Sequence, residues 1–215
     1  MSSKPDFSFY LAHFTTDKEP WVKDDPANPT IEKTRGLSAR DRLISILNER
    51  KILASSLPWK VPGRAVCLTE CPWTSLLVHA KRYSPYGIGF NKALIYLLEG
   101  NPVFYVRDEV YKEQAWSPKA HVFVSRFLPS YRPGGKRDGK QPIDYLHERE
   151  WRVPKDLTFK YNQVEFVIVN EYEDIDKIPS NIRTAIGLNK FLVMEAYTQI
   201  ETLWPVHRMP EKKED

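Results

Sequence analysis

Apolar and polar positions along the chain change period several times, and each change marks an element. Residues 7–15 (FSFYLAHFT) are aromatic and β-branched enough for a first strand, and Pro20, Pro26 and Pro29 make the following stretch to Thr34 irregular. From Ser38 the spacing becomes helical, with Leu43, Ile46 and Leu47 on one stripe. Ser38 as N-cap and Asp41 three residues on predict an amphipathic helix over 38–51. Pro58, Pro62 and Gly63 then break the chain. Short strands at 65–69 (AVCLT), 86–90 (YGIGF) and 102–107 (PVFYVR) alternate with helices at 73–83 and 91–99, the second ending at Gly100. A loop rich in Gly, Pro and charge covers 129–141, strand alternation resumes over 148–153 (EREWRV), and 164–169 (VEFVIV) is the clearest strand. Residues 182–204 read as a helix followed by either a second helix or a strand.

No repeat or low-complexity segment interrupts this order, and 215 residues suit one domain, assigned to 1–210 with a charged tail at 211–215. The composition is 41% hydrophobic and 13% aromatic, which excludes a disordered chain. The longest nearly uncharged apolar run, 93–98, is far below the roughly 20 residues of a membrane-spanning helix. The first residues lack a secretory pattern, and Cys67 and Cys71 have no second Cys or His pair, so the expectation is a cytoplasmic protein with reduced thiols and no metal. The net charge of +4 is too mild to announce a nucleic-acid binder by itself.

Four features carry possible chemistry. His13 and Thr15 lie on one face of the first strand and Phe14 on the other, which makes one side of that strand end either liganded or simply wet. Alternation through 148–152 would put Glu148, Glu150 and Arg152 on one face, with Arg149 and Trp151 opposite; a solvated edge strand with an ion pair gives the same pattern. Tyr86 and Phe90 bracket two glycines and could sandwich a flat ring, or else form aromatic core beside bulge glycines. The third glycine of a dinucleotide fingerprint is missing, because position 92 is Lys. Finally, Arg126, Arg132, Lys136, Arg137 and Lys140 against Asp138 place +4 within residues 126–142, as much as the whole chain carries. With Tyr131 among them, the loop combines phosphate partners with a stacking ring, although an ordinary solvated loop has the same composition.

The order of these pieces resembles the ADP-ribosyltransferase fold: His-x-Thr on strand one, the Leu43, Ile46, Leu47 helix, a Tyr-containing strand, and a late Glu after a variable loop. More closely, residues 13–15, 66–70, 86–92, 102–106 and 148–152, spread over about two thirds of the chain, are similar to AbiGi-type abortive-infection proteins and more distantly to DarT-type toxins. The resemblance implies an α+β domain of two packed antiparallel sheets flanked by short helices. It implies NAD as co-substrate, held by His13 and Thr15 on its adenosine-ribose side and by Tyr86 and Phe90 at the nicotinamide. It implies Glu150 as the carboxylate that stabilises the oxocarbenium ion, Glu148 on the acceptor side, and the loop with Tyr131, Arg132, Lys136 and Arg137 as the reader of a nucleic-acid target. A toxin of a phage-defence or toxin–antitoxin system is the expected role, with a cognate antitoxin as a partner. An NAD glycohydrolase and an inactive binding module on the same fold are the alternatives. A metal-dependent nuclease lacks ligand spacing around the two glutamates, and neither cysteine has a base assignable from spacing.

Overall fold

The computed structural model describes residues 8–18, 33–57, 61, 63–70, 80–129 and 143–203. In chain order the elements are β1 (Tyr10–Phe14), α1 (Ala39–Glu49), β2 (Lys51–Ile52), β3 (Ser55–Ser56), β4 (Arg64–Thr69), β5 (Gly87–Asn91), α2 (Lys92–Leu97), β6 (Asn101–Pro102) and β7 (Phe104–Arg107). There follow α3 (Asp108–Glu113), α4 (Pro118–His121), β8 (Val124–Phe127), a 3-10 turn (Leu146–Glu148), β9 (Glu150–Val153), β10 (Leu157–Thr158) and β11 (Val164–Val169). The chain continues through α5 (Tyr172–Asp176), α6 (Ser180–Ile186), β12 (Phe191–Val193) and α7 (Met194–Leu203). Helices and strands are thus mixed, and no helix among the described residues is long and apolar enough to cross a membrane.

One hydrogen-bonded sheet runs β12-β11-β5-β1-β4-β9-β6, with β3 on β4, and two-stranded ribbons β2–β10 and β7–β8 stand beside it. This corrects the expected pair of packed antiparallel sheets. Two crossovers make the difference: α5 and α6 carry β11 round to a parallel β12, and α3 and α4 carry β7 to a parallel β8. The main sheet is nevertheless uneven. Five residue pairs join β1 to β5, whereas among the described residues β1 meets β4 at the single pair Ala12↔Thr69.

The period-2 pattern explains the two faces. Leu11, Val66, Leu68, Ile88, Phe90 and Val153 turn to one side and meet Leu43 and Leu47 of α1, while Ala12, Phe166, Ile168 and Met194 form a second cluster. β11 is buried nearly along its whole length, which is why VEFVIV is almost continuously apolar. Ser38 caps α1, its hydroxyl accepting from the Asp41 N–H, as the capping pattern predicts. The helix stops at Glu49, two residues before the expected end, because Arg50 turns left-handed at φ 51° and Lys51 enters β2. The expected strand at 102–107 divides in two: the Val103 N–H donates to the Glu150 carbonyl and the Phe104 N–H to the Phe123 carbonyl, so the chain changes partners there. Of the helix expected at 73–83, residues 80–82 are helical and residues 71–79 lie outside the described residues. Both a helix and a strand, and then α7, occupy 182–203.

Candidate active site at the parting of two strands

His13 stands where β1 leaves β4. Its Nδ1 lies 2.9 Å from the Cys67 carbonyl oxygen, so a side chain takes the place of a backbone ladder bond. A carbonyl can only accept, which puts the proton of the neutral imidazole on Nδ1. Burial lowers the pKa of this ring, only partly offset by that hydrogen bond, and keeps it neutral near pH 7.

The other residues expected to grip NAD serve the fold. Thr15 is buried, with its hydroxyl 2.8 Å from the Ala39 carbonyl and 3.1 Å from that of Tyr86, and it ties α1 to the sheet. Phe90 is 0% exposed and packs edge-on against Phe159 at 5.2 Å between ring centres. The Tyr86 hydroxyl donates to Asp174 Oδ2 at 2.8 Å, and its ring leans on the core. A ring sandwich between Tyr86 and Phe90 is therefore absent, and Thr15 and Phe90 are corrected to structural residues. The glycines between them are filled from within: a Cβ on Gly89 would strike the Phe166 ring, and one on Gly87 would sit 2.8 Å from the His13 carbonyl oxygen.

The carboxylates do come together, though not as alternating residues of one strand. Glu148 closes the 3-10 turn, Arg149 takes φ 45°, and β9 starts only at Glu150. The expected sharing of a strand face holds for Glu150 and Arg152 and is corrected for Glu148. Glu150 accepts from Arg152 Nε at 2.8 Å on one oxygen and from Nη2 at 3.0 Å on the other. Arg152 is 2% exposed, and its Nη1 donates to the carbonyls of Val122 and Val124. Burial alone would disfavour its charge, and the neighbouring Glu150 carboxylate outweighs that and raises the pKa. Trp151 turns to the opposite face and packs on the main core.

Glu148 is held from β4 and from residues 82–83. The Thr69 hydroxyl donates to its carbonyl, the Tyr83 hydroxyl donates to Oε1 at 2.6 Å, and Arg82 Nη2 lies 3.3 Å from the same oxygen. Arg82 spans the rings of Tyr83 and Tyr145, and Tyr83 stacks on Phe14 of β1. Tyr105 reaches the other carboxylate's backbone, its oxygen accepting from the Glu150 N–H at 3.2 Å. Burial, and then the nearby carboxylates, push both phenols up, so both stay protonated. The result is a corner of two carboxylates, two phenols and two guanidiniums, of which only Arg82 is more than a third exposed, able to face a developing positive charge.

Arg82, Tyr83 and Tyr105 escaped the sequence reading. Tyr83 and Tyr105 lie 65 and 45 residues from their partners, and no local period announces such pairs. Tyr131, Arg132, Lys136 and Arg137 lie outside the described residues. The base of their loop is described: Leu128 and Ile143 exchange two backbone hydrogen bonds of 2.8 Å, only five residues before Glu148. Arg126, counted with the loop's charge, instead pairs with the buried Asp108. No group of three or more His, Cys, Asp or Glu that could hold a metal ion occurs among the described residues. No family model, no curated protein and no solved structure matches the chain.

Proposed function

We propose that this chain is an NAD-dependent ADP-ribosyltransferase, with a nucleic acid as acceptor, acting as a toxin in a defence system. The observation that carries the reading is the corner just described: Glu148 and Glu150 set among Tyr83, Tyr105 and Arg82, beside the place where β1 parts from β4. The chemistry suits such a corner. When the glycosidic bond of NAD breaks, its electron pair leaves with the nicotinamide nitrogen and the ribosyl carbon becomes cationic. A fixed carboxylate in a site poor in water stabilises that cation far better than bulk solvent does. An acceptor lone pair then closes the new bond from the opposite side, and its proton passes to a carboxylate and on to water.

The described residues fit part of the substrate. The carboxylates suit the ribose, the Tyr83 and Phe14 rings offer flat apolar surface, and Arg82, paired with Glu148 and His147 but more than a third exposed, can add phosphate oxygens to its contacts. His13, fixed through Nδ1, keeps Nε2 as an acceptor for a sugar hydroxyl. The acceptor class rests on the basic loop with Tyr131, rooted five residues from Glu148.

The test is incubation of the protein with adenylate-labelled NAD and, in separate arms, RNA, single-stranded DNA, duplex DNA and lysate protein, beside a variant carrying both Glu148→Gln and Glu150→Gln. Label on RNA or DNA, absent with the double variant, is expected. Label on protein overturns the acceptor class, free ADP-ribose as the only product makes the enzyme a glycohydrolase, and untouched NAD in every arm removes the enzyme reading.

A further inference from the structure

Within that reading, on which it depends, we infer that Glu148 is the carboxylate that faces the reacting sugar carbon and that Glu150 is a positioning residue, its charge committed to Arg152. This reverses the order that the Glu-x-Glu resemblance implies.

The two glutamates are spaced by one residue and are almost equally accessible, yet their bonding differs in kind. Both oxygens of Glu150 are taken, one by Arg152 Nε and one by Nη2, in a planar bidentate pair. The guanidinium cannot turn away, because it is buried and its Nη1 is tied to two carbonyls of the segment 122–124. A carboxylate paired in this way presents little net charge to a third group, since the cation stands at hydrogen-bonding distance from both oxygens. Releasing it would leave a buried unpaired guanidinium, so the pair stays closed through a catalytic cycle.

Glu148 uses only one oxygen. Tyr83, Arg82 and, at 4.0 Å, His147 all converge on Oε1, and Oε2 has no partner among the described residues. Its cation, Arg82, is 38% exposed and therefore screened by water, unlike Arg152. Tyr83 and the Thr69 hydroxyl fix the side chain and its carbonyl, so the free oxygen is held in place rather than floating. Arg149 supplies a further sign. A non-glycine residue at φ 45° is strained backbone, and here it has the specific effect of lifting Glu148 out of the strand that holds Glu150.

In the reaction the C–N bond to nicotinamide breaks with both electrons going to the ring nitrogen, and Glu148 Oε2 faces the cationic carbon. When the acceptor's lone pair forms the new bond, its proton passes to the same carboxylate. Glu150 acts through Arg152, holding the start of β9 and, through its N–H to Tyr105, the position of the corner.

The experiment is steady-state turnover of labelled NAD by wild type, Glu148→Gln, Glu150→Gln and the paired change Glu150→Gln with Arg152→Met, each with its kcat and KM resolved separately and its melting curve. Glu148→Gln is expected to lower kcat by about 10²–10³-fold with KM and Tm little changed. Glu150→Gln is expected to lose only about tenfold in kcat and to melt about 4 °C lower or more, with the paired change regaining part of the stability. A kcat loss concentrated in Glu150→Gln, with Glu148→Gln active, overturns this assignment while leaving the transferase reading intact. Equal melting of the two single variants removes its structural half, independently of any NAD chemistry. No turnover by wild type removes the transferase reading and this assignment with it.

Discussion

Gly89 offers a direct check on why two glycines occupy β5. The φ of this residue is not in the left-handed region, so alanine suits the backbone, and only space opposes it. A Cβ built there would lie 2.2–2.4 Å from three carbons of the Phe166 ring, its register partner on β11. Carbon atoms settle at about 3.5–4.0 Å, so the ring must withdraw by roughly 1.3 Å. It has little room to do so, because Phe166 is buried in the second cluster and meets the Tyr10 ring edge-on at 6.0 Å. Overpacking costs about 1–3 kcal/mol, and a clash this close with a buried ring that has little room lies at about 2–3 kcal/mol; replacing a strand glycine returns at most about 1 kcal/mol, so the net loss is at least about 1–2 kcal/mol. In a chain of this size that lowers Tm by about 2–8 °C. Melting curves followed by circular dichroism for Gly89→Ala, Phe166→Leu and the double variant measure it. The double variant should be more stable than the sum of the single losses by about 1 kcal/mol. A Gly89→Ala protein as stable as wild type, or strict additivity, would refute the claim that Phe166 is what the glycine accommodates.

Two further outcomes follow from the same geometry. The folded pKa of His13 lies below the ordinary 6.5, so its contribution to stability is complete above about pH 6.5 and is lost as pH falls through the folded value, where protonation favours the unfolded chain. Urea midpoints of wild type between pH 7.5 and 5 should therefore fall more steeply than those of His13→Gln; parallel slopes would exclude His13 as the source. Asp174, 1% exposed, accepts from the Tyr86 hydroxyl, Lys177 and the Glu171 N–H. Asp174→Asn should cost about 1–3 kcal/mol in denaturant unfolding without altering NAD turnover, and a selective loss of turnover would return Tyr86 to the ligand site.

Much of the fold was legible in the chain because it depends on local rules. Short runs rich in aromatic, β-branched and other apolar residues located β1, β4, β5 and β11, the Ser38 and Asp41 pair located the start of α1, and the class of mixed helices and strands came with them. The way these elements assemble was not local. Whether β11 and β12 pair in parallel, or β1 meets β4 along its length or at one point, depends on crossovers and on contacts between residues far apart in the chain. The candidate site divides in the same way. The sequence by itself brought Glu148, Glu150 and Arg152 to notice, and alternation placed all three on one face, which holds for the last two. Only the tertiary structure decided that Arg149 would lift Glu148 from the strand, that Arg152 would be buried against two carbonyls, and that Phe90 and Thr15 would serve the core. The physical reason is that a side chain's charge and accessibility are set by neighbours brought in by packing, such as Tyr83, Tyr105 and Phe166, which a period of two or 3.6 residues does not record.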